Sequence, residues 1–141
     1  MTATASAAGE PTIRLDRTAT GPADWDALVA ADGSTDYAHA AHWTECAVRA
    51  LPGAAALWLT ARKGGRLVAG LAAVQQSVGR GPLARRRLDC SVEGTSGGPL
   101  VAADLAPAEQ EALVRALLGS YRRLRPGPLG AVTLALGPDR E

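Results

Sequence analysis

The chain predicts a mixed α/β (α+β) fold, a mixed sheet flanked by helices with the element order βααβββαβ, and three observations carry that prediction. Two apolar runs, Ala56 to Ala61 and Leu67 to Val74, are separated by the glycine turn Arg62-Lys63-Gly64-Gly65-Arg66, the pattern of a β-hairpin whose strands are buried on both faces. Three other segments carry apolar residues at spacings of three and four between start and stop signals, the pattern of helices. Short strand-like runs stand at Thr12 to Leu15 and at Ala131 to Leu136.

Taken in order, Ile13 and Leu15 alternate with polar neighbours and predict a short first strand after a disordered tail at residues 1–11. Gly21-Pro22 opens a first helix; Asp24 and Asp26 suit its positive end, Trp25, Leu28 and Val29 form its apolar side, and Asp32-Gly33-Ser34 closes it. A second helix is expected over Ala38 to Ala50, with Trp43, Cys46, Ala47, Ala50 and Leu51 inward and Pro52-Gly53 as its stop. The hairpin follows, then a loop at Gly79-Arg80-Gly81-Pro82 and a strand from Arg87 to Val92. Pro107 at the first turn, Glu109 and Glu111 near the amino end, the stripe Leu113, Leu117, Tyr121 and Leu124, and Arg122, Arg123 and Arg125 at the carboxyl end define a third helix. Pro126-Gly127-Pro128 breaks it before the last strand. The 141 residues fit one domain, residues 12–141, with no internal repeat.

Composition narrows the function classes. With 47% apolar and 21% charged residues and a net charge of +1, the chain has no global electrostatic attraction for DNA or an anionic membrane. Arg85-Arg86-Arg87 is its one dense basic run, read as a solvated strand end or an anion contact. No apolar stretch approaches the ~20 residues of a membrane span. Cys46 and Cys90 form no disulfide framework and read as small buried hydrophobes in a reducing, cytoplasmic compartment.

Four constellations carry candidate chemistry. Gly94-Thr95-Ser96-Gly97-Gly98 fits the G-x-S-x-G elbow of a serine nucleophile, but His39 and His42 both precede the serine and Pro99-Leu100-Val101 does not start a helix, so the segment reads as a close-approach turn at Gly97 and Gly98. Gln76-Ser77-Val78-Gly79-Arg80-Gly81 fits Q/R-x-x-G-x-G/A, the pyrophosphate loop of coenzyme A-dependent N-acetyltransferases, in which backbone amides at a helix amino terminus cradle phosphates. It proposes Gly79 and Gly81 as cofactor contacts, and it requires a helix directly after them. His39, His42 and Cys46 lie near one helix face, with Cys90 as a fourth donor, yet they lack the paired ligands on tight turns that a structural zinc site shows, and no metal is assigned. In Tyr37-Ala38-His39-Ala40-Ala41-His42-Trp43 an imidazole stands four residues before an indole, so that His39 faces a polar cleft while Trp43 anchors the helix.

Together His39-x-x-x-Trp43, the hairpin from Leu57 to Leu71, and Arg87-Leu88-x-Cys90-Ser91-x(5)-Gly97-Gly98-Pro99-Leu100-Val101 resemble the amino-terminal lobe of FemAB-like acyltransferases, proteins of the GNAT fold. The resemblance runs from about Trp25 to Leu136 and is most specific at Gly-Gly-Pro-Leu. It implies a GNAT-like sheet, from which this chain is expected to depart by stopping after its fifth strand, and transfer of an acyl or aminoacyl group to an amine acceptor, a cell-wall (peptidoglycan) precursor in the better-known members. The donors it implies are acyl-coenzyme A or aminoacyl-tRNA. It names no general base. Ser96 stands where an aromatic residue often precedes the glycine pair, and Ala47 where members acting on peptidoglycan precursors carry a lysine. Since two such lobes usually sit in tandem, strand 131–136 is expected to pair with a second lobe or with another copy of the chain. The alternatives are a compact coenzyme A-dependent acetyltransferase built on Gly79 and Gly81, and a non-catalytic binding or assembly module of the same fold.

Overall fold

The computed structural model describes residues 11–90, 97–124 and 131–133, the last three by their backbone. The expected tail at 1–10, the serine of the G-x-S-x-G segment and residues 134–136 of the last strand lie outside the described residues. Six strands and three α-helices form among those described: β1 (Arg14–Asp16), α1 (Trp25–Asp32), α2 (Ala41–Ala50), β2 (Ala55–Lys63), β3 (Arg66–Val78), β4 (Arg85–Asp89), β5 (Leu100–Val101), α3 (Pro107–Arg123) and β6 (Ala131–Thr133). The sheet order is β1-β2-β3-β4-β6; all pairings are antiparallel except the parallel pair β4 and β6, and β5 pairs with β3.

The β2–β3 hairpin forms because Gly64 (φ 57°) and Gly65 (φ 82°) accept the left-handed backbone that a two-residue turn needs. Its strands are buried on both faces. Leu57, Leu59, Leu71 and Leu88 pack on one side against Leu113, Leu117 and Tyr121 of α3, the stripe legible at spacing four. On the other side Ala56, Trp58, Leu67 and Leu100 pack against Trp25 and Leu28 of α1. The molecule is therefore a three-layer arrangement, with α1 and α2 over one face of the sheet and α3 over the other.

Two expectations need correction here. The second helix does not begin at Ala38: Tyr37–His39 is a separate 3₁₀ turn capped by Asp36, and Ala40 is extended (φ −61°, ψ 144°) before α2 starts. That late start rotates the helix, so Thr44 is its buried residue and Ala41 and Val48 pack toward the core, while Trp43, Cys46 and Ala47 are half-buried and Ala50 is exposed. Nor are the cysteines fully buried; both are half-buried free thiols. In addition, the strand expected from Arg87 begins at Arg85, and the two residues of β5 add a strand that the five-strand expectation lacks.

The amino end of α1 is tied to the sheet by Arg62, whose guanidinium donates to both carboxylate oxygens of Asp24 (2.6 and 2.8 Å). That hydrogen bond holds the Asp24 carboxyl below its ordinary range. A carboxylate depressed on folding adds stability above its unfolded pKa, and the contribution disappears as the pH falls through the folded value. Both partners are more than a third exposed, so the pair contributes less than ~1 kcal/mol. Asp24→Asn should lower the melting temperature slightly at neutral pH and converge on the parent as the pH falls through the lowered pKa of Asp24, as followed by circular dichroism.

Candidate functional site

The site is set by an interruption in the sheet. Along the outer edge of β3, β4 pairs with Val74 to Val78 and β5 pairs with Ala69 and Gly70, so the ladder among the described residues skips Leu71, Ala72 and Ala73. Ala102 N donates to Val68 O (2.9 Å), and peptide groups alternate sides along a strand, which turns those of Ala72 toward the gap. β4 ends at Asp89, and Gly97, Gly98 and Pro99 lead into β5. All three lead-in residues are buried, and Gly98 has a φ of 134°, a conformation that side chains disfavour.

A crevice of about 10 Å³, room for about one water or one small polar group, occupies this gap. Trp25, His39, Trp43, Ala72, Asp89, Cys90, Gly97 and Gly98 line it. His39 has an almost buried side chain (11% exposed) whose Nδ1 lies 3.1 Å from Asp36 Oδ1. The Asp36 amide donates to the same nitrogen at 3.4 Å, the reciprocal half of a capping box. The turn is held in place because Asp36 also accepts from Ala38 N (2.9 Å) and because Trp25 Nε1 donates to His39 O (2.8 Å). Trp43 stands against Tyr37 edge to face (centroids 5.3 Å apart, 86°). Its indole N–H is buried and has no acceptor among the described residues.

Behind the crevice, Asp89 is 1% exposed and is paired with the Arg87 guanidinium. Burial, with the neighbouring Cys90 thiol and Asp89 carboxylate, pushes the Tyr121 phenol far above its ordinary range, so it stays protonated and serves as a donor. The geometry thus collects an imidazole, an indole whose N–H has no acceptor among the described residues, and a close-packed glycine backbone around one gap.

The structure brings His39, Gly97 and Gly98 together at the crevice. Gly79 (φ 94°) and Gly81 (φ 57°) are placed elsewhere: they join the antiparallel strands β3 and β4, followed by a single 3₁₀ turn at Gly81–Leu83. The helix amino terminus that a pyrophosphate loop requires does not follow them. The amino end of α3 offers no substitute, because Gln110 Nε2 folds back onto Leu105 O (2.7 Å) and Glu109 is joined to Lys63. His42 and Cys46 form a contact (Nε2 to Sγ 3.3 Å) on α2, away from the crevice lining that holds Cys90, and no group of three or more potential metal ligands occurs among the described residues.

Sequence reasoning missed Asp36, although its spacing of three from His39 is the capping-box signal. Asp89 and Tyr121 carry no local signal, since they meet only through the sheet. A larger cleft of about 470 Å³ between β5 and α3, lined by Val101, Pro107, Val114 and Leu118, is mainly apolar, and its Asp32 carboxylate is engaged by Val101 N (2.7 Å) and Ser34 N (3.2 Å). No protein-family model matches the chain, and no curated protein matches it. No helix among the described residues is long and apolar enough to cross a membrane.

Proposed function

We propose that the chain is an acyltransferase lobe of the FemAB-like, GNAT-fold kind, acting on an amine acceptor with an aminoacyl ester as donor. The observation that carries this reading is the gap beside Ala72, where His39, Trp43, Gly97 and Gly98 converge on strand edge that no described residue pairs with. Aminolysis of an ester forms the amide C–N bond, breaks the ester C–O bond and releases the alcohol, so it asks for a base that takes the amine's proton as nitrogen attacks and returns it to the departing oxygen, and for N–H donors for the oxyanion that forms on the carbonyl. The His39 imidazole and the Trp43 indole are of the right chemical types. The helices on both faces, and the parallel pair β4 and β6 at the end of an otherwise antiparallel sheet, support the same lineage. A coenzyme A donor is the weaker reading, since Gly79 and Gly81 form a hairpin turn.

One observation favours a second reading, a binding or assembly module without turnover: the crevice holds one small group, not a substrate. Nuclear magnetic resonance separates the two. A non-hydrolysable aminoacyl-adenosine amide should shift the Trp43 indole proton and the Gly97 and Gly98 amides, while coenzyme A leaves them unmoved. If neither compound perturbs these signals at millimolar concentration, the acyltransferase reading fails and the module stands.

A further inference from the structure

The burial of both strands of the β3–β4 hairpin falls away toward its tip. Val78 (47% exposed) and Leu83 (77% exposed) are two of the three large apolar side chains exposed among the described residues, and they lie within six positions of each other. The third, Tyr37, packs on Trp43. Arg80, Arg85 and Arg86 share this tip, are exposed, and form no ion pair among the described residues; Arg17, Arg122 and Arg123 are likewise unpaired there, but they stand apart from the exposed apolar pair. The sequence from Ser77 to Leu88 contains no acidic residue.

The tip is preformed. Gly79 and Gly81 take positive φ, Ala84 N donates to Gly81 O (3.0 Å), and the pair Val78 and Arg85 sits in register across the strands. Water is a poor solvent for such a tip, with an outward leucine and a valine set among three uncompensated guanidinium groups. An anionic bilayer surface suits both halves: phosphates take the guanidinium forks, and the interface takes the apolar side chains. A single-stranded nucleic acid would instead call for aromatic stacking platforms, and the tip has none.

We propose that the β3–β4 hairpin tip docks the protein onto an anionic phospholipid surface, with Leu83 and Val78 entering the interface and Arg80, Arg85 and Arg86 on lipid phosphates. The chain's net charge of +1 makes this attraction local to the tip. Asp89 is four strand residues beyond Arg85, so docking holds the crevice on the order of 13 Å above the tip's arginines. The proposal stands whether or not the crevice performs acyl transfer.

Vesicle flotation tests it with the intact chain. The protein should float with phosphatidylglycerol–phosphatidylcholine vesicles and not with pure phosphatidylcholine, and added salt should weaken the binding. Leu83→Asp and the double variant Arg85→Glu with Arg86→Glu change exposed side chains and retain the fold, which circular dichroism checks; each should lower vesicle binding about tenfold or more. Absence of flotation with anionic vesicles overturns the proposal. So does binding that Leu83→Asp leaves unchanged, or a preference for an RNA oligonucleotide over the vesicles, which would make the tip a purely electrostatic contact.

Discussion

Trp25→Ala should remove about 3–5 kcal/mol of stability, a large share of what a domain of this size possesses. Trp25 is 1% exposed, meets Trp58 edge to face at 4.9 Å, and donates its indole N–H to His39 O at 2.8 Å. Its six-membered ring lies over Gly70, where a β-carbon would stand 2.6 Å from Cζ3 and 2.9 Å from Cη2. The ring thus fills a space that exists only because β3 carries glycine at that point. Alanine would leave a cavity against Trp58 and release the 3₁₀ turn that carries His39. The same contact can be probed from the sheet: Gly70→Ala overpacks the interface and should cost ~1–3 kcal/mol, and Trp25→Phe, which trims the clashing ring, should relieve much of that cost in the double variant. Urea unfolding followed by far-ultraviolet circular dichroism measures all three. A Trp25→Ala loss below about 1.5 kcal/mol would show that this face of the sheet repacks without its anchor.

The elements legible in the sequence are those whose cause is local. Gly64 and Gly65 announce a turn with two positive φ angles, and the spacing of Leu113, Leu117 and Tyr121 defines the buried stripe of α3 without reference to the rest of the chain. The face of α2 was not legible from its apolar residues, because the Asp36-capped turn delays the helix and moves Thr44 inward. β5 is two residues long, too short to show a period, and it exists because β3 offers the edge at Ala69 and Gly70. The glycines show the same division. Gly97 and Gly98 were readable as a close approach, and they border the crevice; Gly79 and Gly81 matched a phosphate-loop pattern as well as any local test allows, but a strand rather than a helix follows them. His39 was readable as a cleft residue. Its companion Asp89 was not, since β4 brings it to the crevice wall.

The second large effect concerns the proposed chemistry. If the His39 imidazole accepts the acceptor amine's proton, His39→Gln should lower kcat for aminoacyl transfer by roughly 10²–10⁴, the usual contribution of a positioned general base. Glutamine fills much of the imidazole's place, so thermal stability should change far less than the rate, and it removes the basic nitrogen. On that reading Asp36 positions the ring, through a carboxylate 3.1 Å from Nδ1 and an amide that donates to the same nitrogen, and Asp36→Asn should give a smaller loss by loosening that hold. The melting temperature distinguishes catalysis from packing: a rate loss at a nearly unchanged melting temperature supports His39 as the base, and a rate loss that tracks a falling melting temperature makes its part structural. Unchanged activity would confine His39 to that structural part, as a cap on the 3₁₀ turn and a carbonyl acceptor for Trp25.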